Sequence, residues 1–224
     1  MIALAFALTL WTGADQSLKP AGYVARGNEP GWHLLIDSAA MVLTQMDGGE
    51  KRFPLPKQQP ITGGYRYALT LNGAPTSVDV LRRLCHDSMS GMSYPDTVTV
   101  ATGGKTLKGC GGDPASLLAG NEWKVESIAG VAMLAQGRPT LSFTEVGRIA
   151  VNGSCNRYSA AFTMSGEGLT VGAAAATKMA CAPALMQQED NFFKVLATVF
   201  RHDVTGLNTL VLEGKDGKKI VAKR

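Results

Sequence analysis

Apolar and polar residues alternate along this chain in short segments, and turn-forming residues separate the segments roughly every 8 to 12 positions. This rhythm is typical of antiparallel strands joined by hairpins. Asp47-Gly48, Asn72-Gly73 and Gly103-Gly104 supply residues that tolerate the positive φ of tight turns. In the first half the pattern predicts strands at residues 31–36, 40–45, 65–71, 77–84, 97–101 and 105–108.

The second half repeats this pattern and adds one helix. Its predicted strands are residues 123–128, 140–143, 148–151, 158–164, 169–171, 203–207, 209–213 and 219–222. Pro183 stands where a first helical turn tolerates proline, and Leu185, Phe192, Leu196 and Val199 then recur at helical spacing. We therefore expect an all-β chain of two small antiparallel β-barrel-like domains, residues 21–114 and 117–224, the second with one packed α-helix.

The start of the chain has the features of a secretory signal peptide. Residues 2–10 are an unbroken apolar run, and the small residues Thr12-Gly13-Ala14 follow at a plausible cleavage site. The run is far shorter than the roughly 20 apolar residues that span a bilayer, and no cysteine follows it to carry a lipid anchor. Because basic residues do not precede the run, a buried first strand is the alternative. We expect residues 1–14 to be a signal peptide and the mature protein to be periplasmic or otherwise exported.

The four cysteines support export. Cys85 and Cys110 lie in the first half, and Cys155 and Cys181 in the second. Three pairings are open, and one local disulfide in each half, Cys85–Cys110 and Cys155–Cys181, is the pairing we expect. Four reduced thiols in a cytosolic protein are the alternative. Zinc binding is not expected, because the closely spaced cysteine pairs of structural zinc sites are missing.

Composition adds two exclusions. Of the 224 residues, 45% are hydrophobic and 18% charged, which indicates a packed globular protein and excludes a disordered chain. The net charge of +4 is small and its basic residues are scattered, so nucleic acid is not an expected partner.

Several motifs of the second half resemble the META domain family, which includes the bacterial heat-shock protein HslJ. They are Trp123, residues 139–143, Gly147-Arg148, Cys155-Asn156-Arg157-Tyr158 and residues 177–181. Family members usually have glycine before the Cys-Asn pair, where this chain has Ser154. The resemblance implies a compact β-domain without known catalytic residues, associated with envelope stress and antibiotic tolerance. It makes Asn156, Arg157 and Tyr158 candidate binding residues, with a structural role in a bulge as the alternative.

The first half resembles an uncharacterised bacterial envelope domain that often precedes META. The motifs are residues 27–32, 85–95 and 109–112. Within them Ser90-Gly91 and Tyr94 also resemble the loop of small β-barrel inhibitors of c-type lysozyme. Since a proline-stiffened loop binds with little ordering cost, Ser88, Ser90, Gly91 and an exposed Tyr94 are the candidate binding residues of this half.

Catalytic signatures are missing from the sequence. There is no GxSxG, HExxH or Walker motif, and the three histidines are far apart. Neighbouring residues on a strand point to opposite faces, so His86, Asp87 and Ser88 would not form one hydrogen-bonded relay. We expect a non-enzymatic protein without cofactor that binds an envelope protein or cell-wall component. A c-type lysozyme inhibitor acting through residues 90–94 and a hydrolase with a dispersed site are the alternatives.

Overall fold

A computed structural model describes residues 22–46, 48–120, 122–144, 147–166 and 168–224. The expected signal peptide, residues 1–14, lies outside these ranges and stays a prediction. The described chain is mostly β-structure with one α-helix, which confirms the expected fold class. The proposed division at residues 114–117 also stays a prediction, although the two large sheets share no strand.

Nine strands of the N-terminal half form an antiparallel sheet that curls into a half-barrel. The strands of this half are β1 Tyr23–Asn28, β2 Gly31–Ile36, β3 Ala40–Gln45, β4 Gly49–Pro54, β5 Gln58–Ile61, β6 Gly64–Leu71, β7 Ala74–Leu81, β8 Cys85–His86, β9 Ser93–Tyr94, β10 Asp96–Thr102 and β11 Lys105–Gly111. In the sheet they run in the order β4-β3-β2-β1-β11-β10-β7-β6-β5, so that β4 and β5 are its edges. The short strands β8 and β9 pair with each other as a separate hairpin.

The core of this half lies on one face of the curled sheet. Alternate residues of a strand point to opposite faces, and Leu34, Val98 and Val100 are fully buried on the inner one. The Trp32 indole nitrogen, on the same face, donates a hydrogen bond to the Lys108 carbonyl at 3.3 Å. Gly27 has to be glycine because a Cβ atom there would overlap this indole.

The C-terminal half is a closed barrel of eight strands with short additions. A single turn of 3-10 helix, Pro114–Leu117, leads into it. Its elements are β12 Trp123–Ile128, β13 Val131–Ala132, β14 Thr140–Phe143, β15 Arg148–Asn152, β16 Arg157–Ser165, β17 Gly168–Val171, β18 Ala175–Ala176, α1 Pro183–Leu196, β19 Val199–Thr205, β20 Thr209–Gly214 and β21 Lys219–Lys223. The barrel closes because β21 pairs with β12 as well as with β20.

Trp123 fills one end of the barrel. Its side chain is fully buried, and its indole nitrogen donates a hydrogen bond to the Leu118 carbonyl at 2.8 Å. The Arg224 guanidinium lies 4.4 Å above the centre of the ring, within the range of a cation–π contact. The two halves therefore each bury a tryptophan whose nitrogen is satisfied by a backbone carbonyl.

The helix α1 packs its apolar side against β12, β20 and β21, and Phe192, Val195 and Leu196 join the barrel core. Pro183 stands in its first turn, as the sequence predicts. The predicted C-terminal end is wrong, because the helix stops at Leu196 and Val199 begins β19. The strand predicted at residues 203–207 is displaced for the same reason. Its second part is a turn in which Gly206 and Leu207 both have positive φ.

Candidate functional site

The segment that follows β7 is held to the sheet by a disulfide. Cys85 on β8 is bonded to Cys110 on β11, with 5.4 Å between their Cα atoms. Cys155 is bonded to Cys181 in the other half, so both bonds have the local pairing that we expected. Disulfides of this kind persist in oxidising, exported compartments.

The Asp87 carboxylate organises the loop between β8 and β9. One of its oxygens accepts hydrogen bonds from the backbone nitrogens of Met89 and Ser90 and from the Ser90 hydroxyl, at 3.1, 2.7 and 2.8 Å. The Gly91 nitrogen donates to the Asp87 carbonyl at 2.9 Å, and Gly91 has a φ of +67° that favours glycine. Ser90 and Gly91, predicted as binding residues, thus form a turn closed on Asp87.

Ser88 is tied to the sheet by Asn28. The Asn28 amide donates to the Ser88 hydroxyl oxygen at 2.9 Å and to the second Asp87 oxygen at 3.2 Å. Burial would raise the pKa of Asp87, but the hydrogen bonds from Ser90, Asn28 and Met89 outweigh burial and lower it. The loop therefore depends on an ionised carboxylate.

An Asp87→Asn variant is expected to unfold more easily at neutral pH, by about 1–2 kcal/mol, because an amide accepts these hydrogen bonds less strongly than a carboxylate. The folded state lowers the Asp87 pKa below the ordinary 3.8. This stabilisation is therefore complete above pH 3.8 and is lost as pH falls through the lowered pKa. Urea unfolding of both proteins at pH 7 and at pH 3 should show the difference shrinking at the lower pH. A difference that stays constant would contradict the role of the charge.

Tyr94 is not exposed, contrary to our expectation. Its side chain is 7% exposed and packs with Met92 and Cys110 in a small cluster, against which Met164 of the barrel strand β16 also lies. Leu84, just before the loop, packs against the barrel core. The loop is therefore wedged between the half-barrel and the barrel, and its aromatic side chain is used in packing.

His86, Asp87 and Ser88 do not form one hydrogen-bonded relay, because each side chain has a different partner. The His86 Nδ1 atom lies 3.0 Å from the Ser93 hydroxyl, which is 4% exposed and closed to a substrate. Beside it lies a pocket of about 230 Å³ whose lining includes the exposed cations Arg26 and Lys108. Among the described residues no cluster of three potential metal ligands is found. Within the same residues no helix is long and apolar enough to cross a membrane.

In the barrel, Glu189 of α1 accepts hydrogen bonds from Asn156 and Tyr158 of the Cys-Asn-Arg-Tyr motif. The Asn156 backbone nitrogen lies 2.9 and 3.2 Å from the two Glu189 carboxylate oxygens, and the Asn156 amide donates to one of them at 3.3 Å. The Asn156 side-chain oxygen accepts hydrogen bonds from the Thr177 hydroxyl and the Met179 nitrogen, at 2.9 and 2.7 Å. Asn156 thus joins three segments, which fits the structural alternative, and its role in binding stays a prediction.

The side chains of Tyr158 and Arg157 lie in different surroundings, the first packed and the second in solvent. The Tyr158 ring stacks on Phe193 with 3.4 Å between the centroids, and its hydroxyl donates to Glu189. Burial first, and then this carboxylate, raise the pKa of Tyr158. The Arg157 side chain is exposed, and among the described residues no ion pair joins it to Glu189. Of the three predicted residues, Arg157 alone has its side chain in solvent.

Ser154, which stands where the resemblance of the motif predicts glycine, has a hydrogen-bonding partner. Its hydroxyl accepts a hydrogen bond from the buried Gln188 side chain at 2.7 Å. Gln188 also donates to the Gly137 carbonyl at 3.1 Å and accepts from the Leu134 nitrogen at 2.8 Å. This one amide fixes the segment after β13 against α1.

That segment and α1 enclose a groove with a volume of about 480 Å³, the size of a small-molecule site. We call it the α1 groove. Its lining residues are Ile128, Ala129, Val131, Ala132, Met133, Leu134, Ala184, Gln187, Gln188, Asn191, Lys194, Val195, Asp216 and Lys218. Two of its apolar side chains face solvent, Val131 with 68% and Leu134 with 44% of their surface exposed. This groove was not predicted from the sequence, although the run of apolar residues from 131 to 134 after a turn was a signal for it.

The chain is similar to known proteins over about half of its length. A search of curated proteins finds no match. One solved structure, described as "NMR structure of the protein", has 27% identity and a TM-score of 0.42, covering 49% of this chain and 92% of that chain. Another, an NMR structure of a protein from Burkholderia xenovorans, has 21% identity and a TM-score of 0.42, covering 49% and 85%. The model of the META domain family matches residues 116–224, which confirms the resemblance expected for the C-terminal half of the chain.

Proposed function

We propose that this chain is a non-catalytic, exported META-domain protein that binds a small, largely apolar ligand in the α1 groove. Through that binding it would support tolerance of envelope stress or antibiotics. The observation that carries the proposal is the groove itself, where Val131 and Leu134 stay exposed beside a helix. Exposed apolar side chains gathered in one concavity favour a ligand, since such contacts with water are costly.

Export is part of the proposal. The two disulfides support an oxidising compartment, and residues 1–14 have the features of a signal peptide. The periplasm is the compartment that we favour. The absence of catalysis is likewise proposed, on the ground that His86, Asp87 and Glu189 are all occupied in structural hydrogen bonds.

Lysozyme inhibition is the weaker hypothesis. An inhibitory loop must project into the cleft of its enzyme, whereas Tyr94 is buried and Ser90 is bonded to Asp87. The packing of this loop between the halves therefore favours a structural role for residues 90–94.

The groove can be tested with the uncharged fluorescent probe N-phenyl-1-naphthylamine. We expect the probe to bind the full chain, and the double variant Val131→Thr/Leu134→Gln to bind it about tenfold more weakly, because both changes make the wall polar. Met89→Gln is the matched control, since Met89 is 81% exposed but lies outside the groove. Fluorescence titration with equal affinity in all three proteins would overturn the proposal.

A further inference from the structure

The two walls of the α1 groove differ in chemistry. Ala184, Gln187, Asn191 and Lys194 recur at helical spacing on one face of α1, which is mostly polar. The opposite wall is the hairpin of β12 and β13 with residues 131–134, which are apolar. A ligand that matches both walls has an apolar body and one polar end.

The charges of the groove identify the polar end. Its lining contains two lysines and one aspartate, Lys194, Lys218 and Asp216. Asp216 is already engaged, since its carboxylate accepts hydrogen bonds from the Lys218 ammonium at 2.6 Å and from the Lys218 nitrogen at 3.1 Å. These bonds with Lys218 lower the pKa of Asp216 and keep it ionised. Within the described part of the chain no carboxylate pairs with Lys194. The groove thus carries one excess positive charge, on the helix wall.

The geometry of the hairpin wall argues against a peptide ligand. A peptide adds to a sheet by pairing with a free strand edge, and β13 is only two residues long. Beyond it, the Met133 nitrogen donates to the Glu126 carbonyl and the Leu134 nitrogen donates to Gln188. The backbone donors that would hold a peptide at this point are therefore in use.

We infer that the α1 groove takes a small amphiphile with a single acidic group, its apolar body against Val131 and Leu134 and its anionic end at Lys194. This inference rests on the proposed function, because it names the class of ligand for the same groove. The acidic group is a carboxylate or a similar monoanion, since one lysine balances one negative charge.

The test compares two probes of equal chain length, decanoate and decanol, each kept below its critical micelle or solubility limit. Isothermal titration of the full chain gives their affinities. Lys194→Gln is expected to weaken decanoate about threefold and to leave decanol unchanged, as for loss of one partly exposed ion pair. Lys124→Gln, which removes an exposed lysine from the same barrel outside the groove, should change neither. The decanoate affinity should also fall as salt is raised.

The outcomes separate the two proposals. If Val131→Thr/Leu134→Gln weakens both probes but Lys194→Gln affects neither, the groove binds apolar ligands and the inference about the acidic group is overturned. If neither probe binds, or if the double variant binds both probes as tightly as the wild type does, the proposed function and the inference about the acidic group both fail. A titration in which only an amphipathic peptide binds would also overturn the small-molecule assignment.

Discussion

A Glu189→Ala variant is expected to lose about 3–4 kcal/mol of unfolding free energy. Glu189 is 2% exposed, and its carboxylate accepts hydrogen bonds from the Asn156 backbone and amide and from Tyr158. Hydrogen bonds to a charged group are worth roughly 1.5–3 kcal/mol, and the truncation also leaves the partly buried Asn156 backbone nitrogen without this partner. Chemical denaturation followed by circular dichroism measures the loss.

Asp190→Ala is the matched control. It removes a carboxylate from the next position of the same helix, where the side chain is exposed, and should change stability by less than about 0.5 kcal/mol. A double-mutant cycle with Asn156→Ala should give a coupling of about 1–2 kcal/mol between the two side chains. Additive effects would contradict the contribution of the hydrogen bond between the Asn156 amide and Glu189 to stability.

A Tyr94→Ala variant is expected to cost about 3 kcal/mol, because the ring is buried in the cluster with Met92, Cys110 and Met164. Burial raises the pKa of the Tyr94 phenol, as expected for a side chain removed from water. Thermal unfolding monitored by calorimetry gives the change in stability.

Tyr94→Phe keeps the ring and serves as the control, with an expected cost below about 1 kcal/mol. A cycle of Tyr94→Ala with Met164→Ala tests whether the loop couples the half-barrel to the barrel. A Tyr94→Ala variant as stable as the wild type would mean that the loop is not a packing element, and the lysozyme hypothesis would be reopened.

The barrel half was the more predictable part of the fold. Its inward positions carry large apolar residues in alternation, as in β14, β15 and β20, so the period of two is visible in the sequence. The boundary between α1 and β19 was not predictable. Val199 continues the helical spacing of Phe192 and Leu196, and the competing turn at residues 197–198 carries neither glycine nor proline.

The half-barrel shows why strands β1, β4 and β5 escaped prediction. The inward positions of β1 include Ala25 and Gly27, which give little hydrophobic signal, and Gly27 is small because the Trp32 ring occupies the space beside it. β4 is a charged edge strand, and β5 contains Pro60, which its edge position tolerates. An edge strand forms because a neighbouring strand pairs with it, and a single sequence does not show which strands become neighbours.

The binding roles of the candidate residues stay predictions, whereas the structure shows their hydrogen-bonding and packing partners. Ser88 and Ser90 are exposed and Asn156 and Tyr158 are half-buried, and each has a hydrogen-bonding or stacking partner that gives it a structural role. The partners that impose this role, Asp87 and Glu189, could not be ranked from the sequence. Glu189 is 33 positions from Asn156, and only the docking of α1 brings the two together.

The seam between β12 and β21 also sets an order of events for the chain. A polypeptide made from the amino end delivers β12 early and its partners β13 and β14 soon afterwards, but the pairing of β12 with β21 waits until residues 220–223 have arrived. Until then β12 and β20 are open edges, and such edges recruit foreign strands or proteases. The interval between the two arrivals is therefore the period of greatest vulnerability for this half, when a chaperone would be most useful.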